Sequence, residues 1–169
     1  VESGNQAILN KMHKGIKLEW SKQYAKNAKK AGLIIHGCFM VGNPGDTKET
    51  MEETFQLSLK LNPDTAQFFP LMVYPGTEAY KWAQTRGYLT TNDFSKWVTE
   101  DGLHSCIIST PEISAEELVA FCDEARRRYY LRPAYIFSKL RQFIFYPAER
   151  KRLLKAGVRF IKFISKKGK

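Results

Sequence analysis

The sequence predicts an α/β fold with parallel strands, either a βα barrel or a doubly wound sheet, continued by a mainly helical tail. Helical segments alternate with short apolar runs in the order helix, strand, helix, strand, helix, the repeat on which such folds are built. Each strand run ends in a glycine- and proline-rich turn, Gly42-Asn-Pro-Gly45 or Tyr74-Pro-Gly76, and over such turns parallel α/β folds place their ligands. Charge separates the tail: from Arg126 to Lys169 there are 15 Lys and Arg against one acid, Glu149, whereas the preceding residues carry 12 bases and 16 acids.

Residues 5 to 13 predict a short helix stopped at Gly15, and Leu18 to Ala31 a longer one stopped at Gly32. Leu33 to Val41 is a nearly unbroken apolar run, expected as a strand buried on both faces. Asp46, three residues before Glu49, is the expected N-cap of a helix that Met51, Phe55 and Leu59 continue to Leu61. Asn62-Pro63-Asp64 ends that helix, and Thr65 to Val73 is a second buried strand. A further helix spans about Thr77 to Arg86. Asp93 to Val98 and Leu103 to Ser109 are short, aromatic and β-rich, and are expected to cover the core. Ser114-Ala-Glu-Glu117 has the capping-box pattern for a helix to about Leu131, stopped by Arg132-Pro133, with two more helices over 134–145 and 148–166.

The composition, 43% hydrophobic and 13% aromatic over 169 residues, excludes a disordered, collagenous or low-complexity chain. The apolar run 33–41 is interrupted by His36 and Gly37, far short of a membrane span. Cys38, Cys106 and Cys122 are odd in number and unpatterned, which speaks against a disulfide framework and for a reducing, cytoplasmic setting. The first residues carry neither initiator methionine nor basic n-region, so the expectation is a chain without signal peptide that begins in mid-domain. Two strands cannot close a sheet, and Val1-Glu2-Ser3-Gly4 reads as the end of another strand with its turn.

Four stretches carry a family resemblance: Val1-Glu-Ser-Gly-Asn-Gln6, Ile8-Leu-Asn-Lys-Met-His-Lys-Gly15, Gly37-Cys-Phe-Met-Val-Gly-Asn-Pro-Gly-Asp-Thr-Lys-Glu-Thr50 and Tyr74-Pro-Gly-Thr-Glu-Ala-Tyr80. In this order and spacing they resemble the second half of a radical S-adenosylmethionine (SAM) domain. The branch is the one with elongator-protein-like domains, often preceded by a cobalamin-binding domain. The basic-aromatic run Arg126 to Pro133 is similar to a helix of the cobalamin-dependent members. The resemblance implies the C-terminal part of a partial (β/α)6 TIM-like barrel over residues 1–90 and a mainly helical, basic extension over 91–169. In the family, a [4Fe-4S] cluster on a C-x-x-x-C-x-x-C loop binds SAM and cleaves it to a 5'-deoxyadenosyl radical. With cobalamin, in an upstream domain, methyl transfer or rearrangement is implied. The cysteine loop is absent from this sequence, so the chain is expected to be inactive alone and to need the missing N-terminal part of the barrel as partner. The three cysteines then read as apolar fillers.

The resemblance implies one wall of the SAM site. Glu2 and Ser3 match the end of the family's fourth strand, where polar groups hold the ribose or the amino group of SAM; a carboxylate suits both. Lys14 matches the basic residue set against the SAM carboxylate, and reads equally as a solvated surface lysine. On the next strand Met40 matches an apolar contact to adenine, with Gly42 allowing close backbone approach; the alternative is that Phe39, Met40 and Val41 are all plain core. Cys38 stands where the family's motif has a glycine, and Asp46 only approximates its acid. Leu71 and Met72 match positions whose backbone reaches adenine. The substrate is not identified by these residues; a small molecule is expected, or a lipid-like one if the basic C-terminal helix lies on a membrane.

His13, His36 and His104 show no metal-ligand spacing, Gly42-Asn-Pro-Gly45 lacks the Lys-Ser/Thr ending of a P-loop, and no nucleophile-base set can be assembled by spacing. A reading of a different class is a non-catalytic module whose basic C-terminal helices bind an anionic membrane or, second to that, nucleic acid. On α-helical spacing Leu153, Leu154, Gly157, Val158, Ile161 and Ile164 form one apolar stripe, bordered by Phe160 and Phe163, among Arg150, Lys151, Arg152, Lys155, Arg159, Lys162, Lys166 and Lys167. The stripe is expected either to pack on the barrel or to lie peripherally on the inner, cytoplasmic leaflet.

Overall fold

A computed structural model describes residues 2–98 and 105–166. The sequence readings on Val1, Leu103, His104 and Lys167 fall outside the described residues. The chain divides into two compact units, Val1–Arg126 and Arg127–Lys169.

In the first unit, α1 (Gln6–Lys11) starts at Asn5, whose side chain accepts the N–H of Ile8. α2 (Leu18–Lys30) ends in a Schellman arrangement: Gly32 has φ +72° and the Leu33 N–H donates to the carbonyl of Ala28 at 3.0 Å. Leu33 therefore belongs to the helix end. This corrects the expected strand start, since β1 covers only His36–Val41, and Leu33 and Ile34 are exposed. Pairing begins where Asp64 receives the chain: its carboxylate accepts the Ile35 N–H at 3.0 Å, and the N–H groups of Asp64 and Thr65 donate to the Ile35 carbonyl.

β1 pairs in parallel with β2 (Thr65–Pro70), His36 facing Thr65 and Val41 facing Pro70, as the alternation of elements predicts. β2 stops three residues short of the expected Val73. The Leu71 N–H still donates to the Val41 carbonyl at 2.7 Å, but at Gly42, φ +83°, the partner turns away. β1 is also not buried on both faces. Phe39 and Val41 are buried, Phe39 stacking on Phe68 at 5.2 Å, with Phe55 of α3 (Lys48–Leu61) 6.0 Å from the same ring. Cys38 and Met40, pointing to the opposite face, are half-buried.

The N-cap of α3 is Thr47, in a reciprocal capping box with Thr50, rather than Asp46. Asp46 lies one residue earlier, where its carboxylate can organise the loop instead. Asn62, in the left-handed region at φ 46°, ends the helix. α4 (Glu78–Thr85) is capped by the Thr77 hydroxyl. Beyond it, among the described residues, the expected β-rich stretch contains a 3-10 turn, Phe94–Trp97, and an antiparallel bridge between Leu89 and Ile108. The Asp93 carboxylate accepts the Ser95 N–H and favours the tight turn over a strand. The covering role holds: Trp97, Ile107 and Ile108 are buried in one cluster with Leu71, Val73 and Ala83. α5 (Ala115–Tyr130) opens with the predicted capping box, the Ser114 N–H donating to Glu117 and the Glu117 N–H to the Ser114 hydroxyl.

The second unit contains α6 (Pro133–Phe145), with proline in its first turn, and α7 (Arg150–Lys166), near the predicted bounds. The Arg150 guanidinium donates to the carbonyls of Phe143 and Ile144 at 2.8 and 3.1 Å, closing the C-terminal end of α6. Rings of Tyr129, Tyr130, Tyr135 and Phe160 pack together, and Arg132 lies 4.1 Å over Tyr129. No described helix is long and apolar enough to cross a membrane.

Candidate functional site

Three segments come together at the C-terminal ends of the strands. The Glu2 carbonyl accepts the Met40 N–H at 2.7 Å, setting residue 2 beside β1 on the edge that β2 leaves free. Ser3 and Gly4 then turn onto α3. Gly4 has no room for a side chain, because a Cβ there would stand 2.4 Å from the Glu53 carbonyl oxygen and 2.6 Å from Thr54 Cα. Its N–H donates to Thr54 Oγ1 at 2.9 Å.

The end of α1 crosses these strand ends. His13 adopts φ 53° and Gly15 φ 61°, bracketing Lys14, whose ammonium lies 2.8 Å from Glu2 Oε2. The two side chains are 38% and 32% exposed, so neither is committed to the core. His13 Nδ1 lies 3.3 Å from Glu78 at the start of α4. The Lys11 side chain reaches Gly45, where a Cβ would come 2.3 Å from its nitrogen. Lys11, His13 and Lys14 thus meet the loop after β1, the start of α4 and Glu2 in turn. Sequence reasoning found Lys14 and missed Lys11 and His13; the signal was three basic residues within Lys11-Met-His-Lys14 at a helix end.

The loop after β1 is held by Asp46, which is 6% exposed. Its carboxylate accepts the Asn43 N–H at 2.8 Å, the Asn43 side-chain amide at 3.0 Å and the Thr50 hydroxyl at 2.7 Å. Burial pushes its carboxyl above the ordinary range, although each of these donors pulls the other way. The cleft beside this loop, about 240 Å³, is lined by Gly42, Asn43, Trp82, Arg86, Tyr88 and Glu112 among others. A larger groove of about 770 Å³ lies between charged side chains of α2 and α3 and holds none of the seven residues singled out from the sequence.

Of those seven, the structure brings Glu2 and Lys14 into direct contact. Ser3 faces away from them, fully buried, its hydroxyl accepting the Asn5 N–H and lying 3.4 Å from Thr54 Oγ1. Met40 and Met72 are half-buried against the Leu71–Trp97 cluster. Leu71 is in that cluster and its N–H is taken by Val41. The close approach at Gly42 is to α5: a Cβ there would lie 2.9 Å from Leu118 Cδ1. Among the described residues no three His, Cys, Asp or Glu side chains gather as a metal site, and the three cysteines are free, Cys122 buried and the others half-buried. The described residues therefore do not fit an iron–sulfur cluster. The Glu2–Lys14 pair does fit a zwitterion, offering an acceptor and a donor side by side.

No protein-family model matches the chain. It is 31% identical over 140 residues to an uncharacterized methyltransferase of Pyrococcus horikoshii, covering 83% of this chain and 30% of that protein. With a probable threonylcarbamoyladenosine tRNA methylthiotransferase of Pyrococcus abyssi it shares 30% identity over 91 residues, 53% of this chain and 21% of the relative. With the bacteriochlorophyllide d C-8(2)-methyltransferase of Chlorobaculum tepidum it shares 31% over 112 residues, 64% and 24% of the two. The chain thus spans less than a third of the length of these curated relatives. These relatives are radical SAM enzymes, the family that the sequence motifs resemble, and the chain belongs to the radical SAM family.

Proposed function

We propose that residues 1–90 form the last wall of a partial (β/α)6 radical SAM barrel, that Glu2 and Lys14 receive the methionine end of SAM, and that 91–169 is a basic helical extension. The observation that carries this is the Glu2–Lys14 pair at 2.8 Å, on a segment hydrogen-bonded to the free edge of β1 at the ligand end of parallel strands. The pair neutralises itself in the free protein. An amino acid zwitterion can enter between its members, its ammonium donating to Glu2 and its carboxylate accepting from Lys14, so that both charges stay compensated. Met40 and Met72 each keep a half-open apolar face for a ring such as adenine. Leu71, whose N–H is engaged, could contribute only its carbonyl. Ser3 and Gly42 support this wall from behind, through α3 and α5 respectively.

SAM bound beside a reducing iron–sulfur cluster supplies radical or methyl-transfer chemistry; the cluster ligands must come from residues outside this chain. This chain's part is to orient the ligand and exclude water. A cobalamin-dependent methyl transfer or rearrangement is the reaction class that the motif resemblance implies, and the names of two relatives, both methyltransferases, favour methyl transfer.

The test is calorimetric titration of SAM into the protein carrying the complete domain. Glu2→Ala is expected to weaken binding by about 1.5–3 kcal/mol, the worth of a charge-assisted hydrogen bond. Lys14→Met should act similarly, and Ser3→Ala should lower stability without changing affinity. Unchanged affinity in both the Glu2 and Lys14 variants would make the pair an ordinary surface ion pair.

A further inference from the structure

We propose that the Arg127–Lys169 unit lies on an anionic membrane surface, with exposed apolar residues of α6 and α7 in the headgroup boundary and the adjoining basic side chains at lipid phosphates. The unit exposes far more apolar surface than a solvated helical hairpin needs. Phe137 is 71% exposed, Phe145 69% and Ile161 63%. These residues fall in rows: Ile136, Leu140 and Ile144 recur every fourth residue on α6, and Leu154, Val158 and Ile161 at helical spacing on α7. The single apolar stripe expected on α7 is divided in the structure. Leu153, Phe160 and Ile164 are half-buried, Phe160 against Tyr130, while Leu154, Val158 and Ile161 on the adjoining face stay open. The inner face already serves the unit's own packing, and the outer face is surplus to it.

Charge selects the occupant. Residues 127–169 hold 14 Lys and Arg and one acid, and that acid, Glu149, is engaged by Arg152. At about 100° per residue, Lys151, Lys155 and Lys162 flank the open row of α7, where long stems can lie along apolar surface and carry their ammonium groups outward. A nucleic-acid backbone would use these cations but gains nothing from a row of Leu, Val and Ile. A protein partner of mixed charge would not match a one-sign surface. An anionic bilayer accepts both the apolar row and the cations, and a helix of this kind lies in the plane of the interface. The inference does not depend on the SAM-site reading.

The experiment uses the full chain and vesicles of equimolar phosphatidylglycerol and phosphatidylcholine, with pure phosphatidylcholine as control. Cosedimentation is expected with the anionic vesicles at low salt, falling steeply at high salt and with the neutral control. Replacing the open row together, Leu154→Ser, Val158→Ser and Ile161→Ser, is expected to reduce partitioning at least about a hundredfold, since only the open half or so of each aliphatic side chain is left for the membrane to cover; these positions are exposed, so the fold should persist by circular dichroism. A Phe137→Trp reporter should shift to shorter emission wavelength on binding. Three outcomes overturn the proposal: no cosedimentation at low salt, binding that the triple serine variant leaves unchanged, or a duplex oligonucleotide bound more tightly than the vesicles.

Discussion

Gly4→Ala tests the geometry on which the Glu2–Lys14 pair depends. Gly4 is not in the left-handed region, so alanine is acceptable to its own backbone and the effect is purely steric. The new Cβ would meet three backbone atoms of α3 at 2.4–2.6 Å, where ordinary contact begins at 3.4 Å. Helix backbone does not yield as a side chain can, so residues 2–4 must retreat by about 1 Å. A shift of that size takes the 2.9 Å bond from the Gly4 N–H to Thr54 and the 2.7 Å bond from Met40 to the Glu2 carbonyl to the limit of hydrogen-bond length or past it. Overpacking at about 1–3 kcal/mol, with one or two weakened hydrogen bonds at about 1 kcal/mol each, gives an expected loss of about 2–5 kcal/mol. Urea unfolding followed by far-ultraviolet circular dichroism reads it, with Thr54→Ser as a control that keeps the hydroxyl. In the protein with the complete domain, SAM affinity should fall with it. Stability within 0.5 kcal/mol of the parent, roughly the scale of a neutral surface change, would show that the segment is not seated against α3 as described.

The pH dependence of stability should carry the signature of Asp46. Its carboxyl is raised by burial from the ordinary 3.8, so the folded state holds the proton longer than the unfolded one, and the associated stability is present below the unfolded pKa and lost as pH rises through the folded value. Asp46→Asn removes this slope, because the amide oxygen can face the Asn43 donors while the Thr50 hydroxyl turns to donate to the Thr47 carbonyl, 3.1 Å away. The stability of wild type minus Asp46→Asn should therefore decrease with rising pH. Glu49, Asp93, Glu116 and Glu117, lowered by their hydrogen bonds, slope the other way but cancel in that difference. A difference that rises with pH would refute the argument. Cys122, buried with its thiol pushed up to about 12 by burial, should resist iodoacetamide at pH 8 until denaturant is added; rapid alkylation of the native chain would place it elsewhere.

Local chemistry made much of this molecule legible in the sequence. Gly32 ends α2, Ser114 and Glu117 start α5, and Pro133 opens α6, because each of those signals acts within one turn of chain. Where a distant partner decides, the sequence misleads. Leu33 and Ile34 look like strand, yet the ladder can begin only where Asp64 and Thr65 stand opposite Ile35. Asp46 has the spacing of a cap, and only the converging donors of Asn43 and Thr50 reveal its role in the loop. At the site, Glu2 and Lys14 were visible through motif likeness. Their contact was not, because it depends on the two left-handed residues that turn the end of α1 back across the strands. Ser3 shares the motif with Glu2 but takes the opposite side of the chain.

The β1–β2 ladder joins residues 29 positions apart, from His36 and Thr65 onward. In-register parallel pairing keeps that separation constant along the ladder, so closing one loop brings every rung within reach and the entropy of closure is incurred once. The loop is largely helix, bounded by the Thr47 capping box and the Asn62 turn, which shortens the floppy length still to be searched. The rung between Glu2 and Met40 needs a second, independent closure. The β–α–β element closes the shorter loop, 29 positions against the 38 between Glu2 and Met40, so it is expected to form first and the segment bearing Glu2 to dock on an edge that already exists.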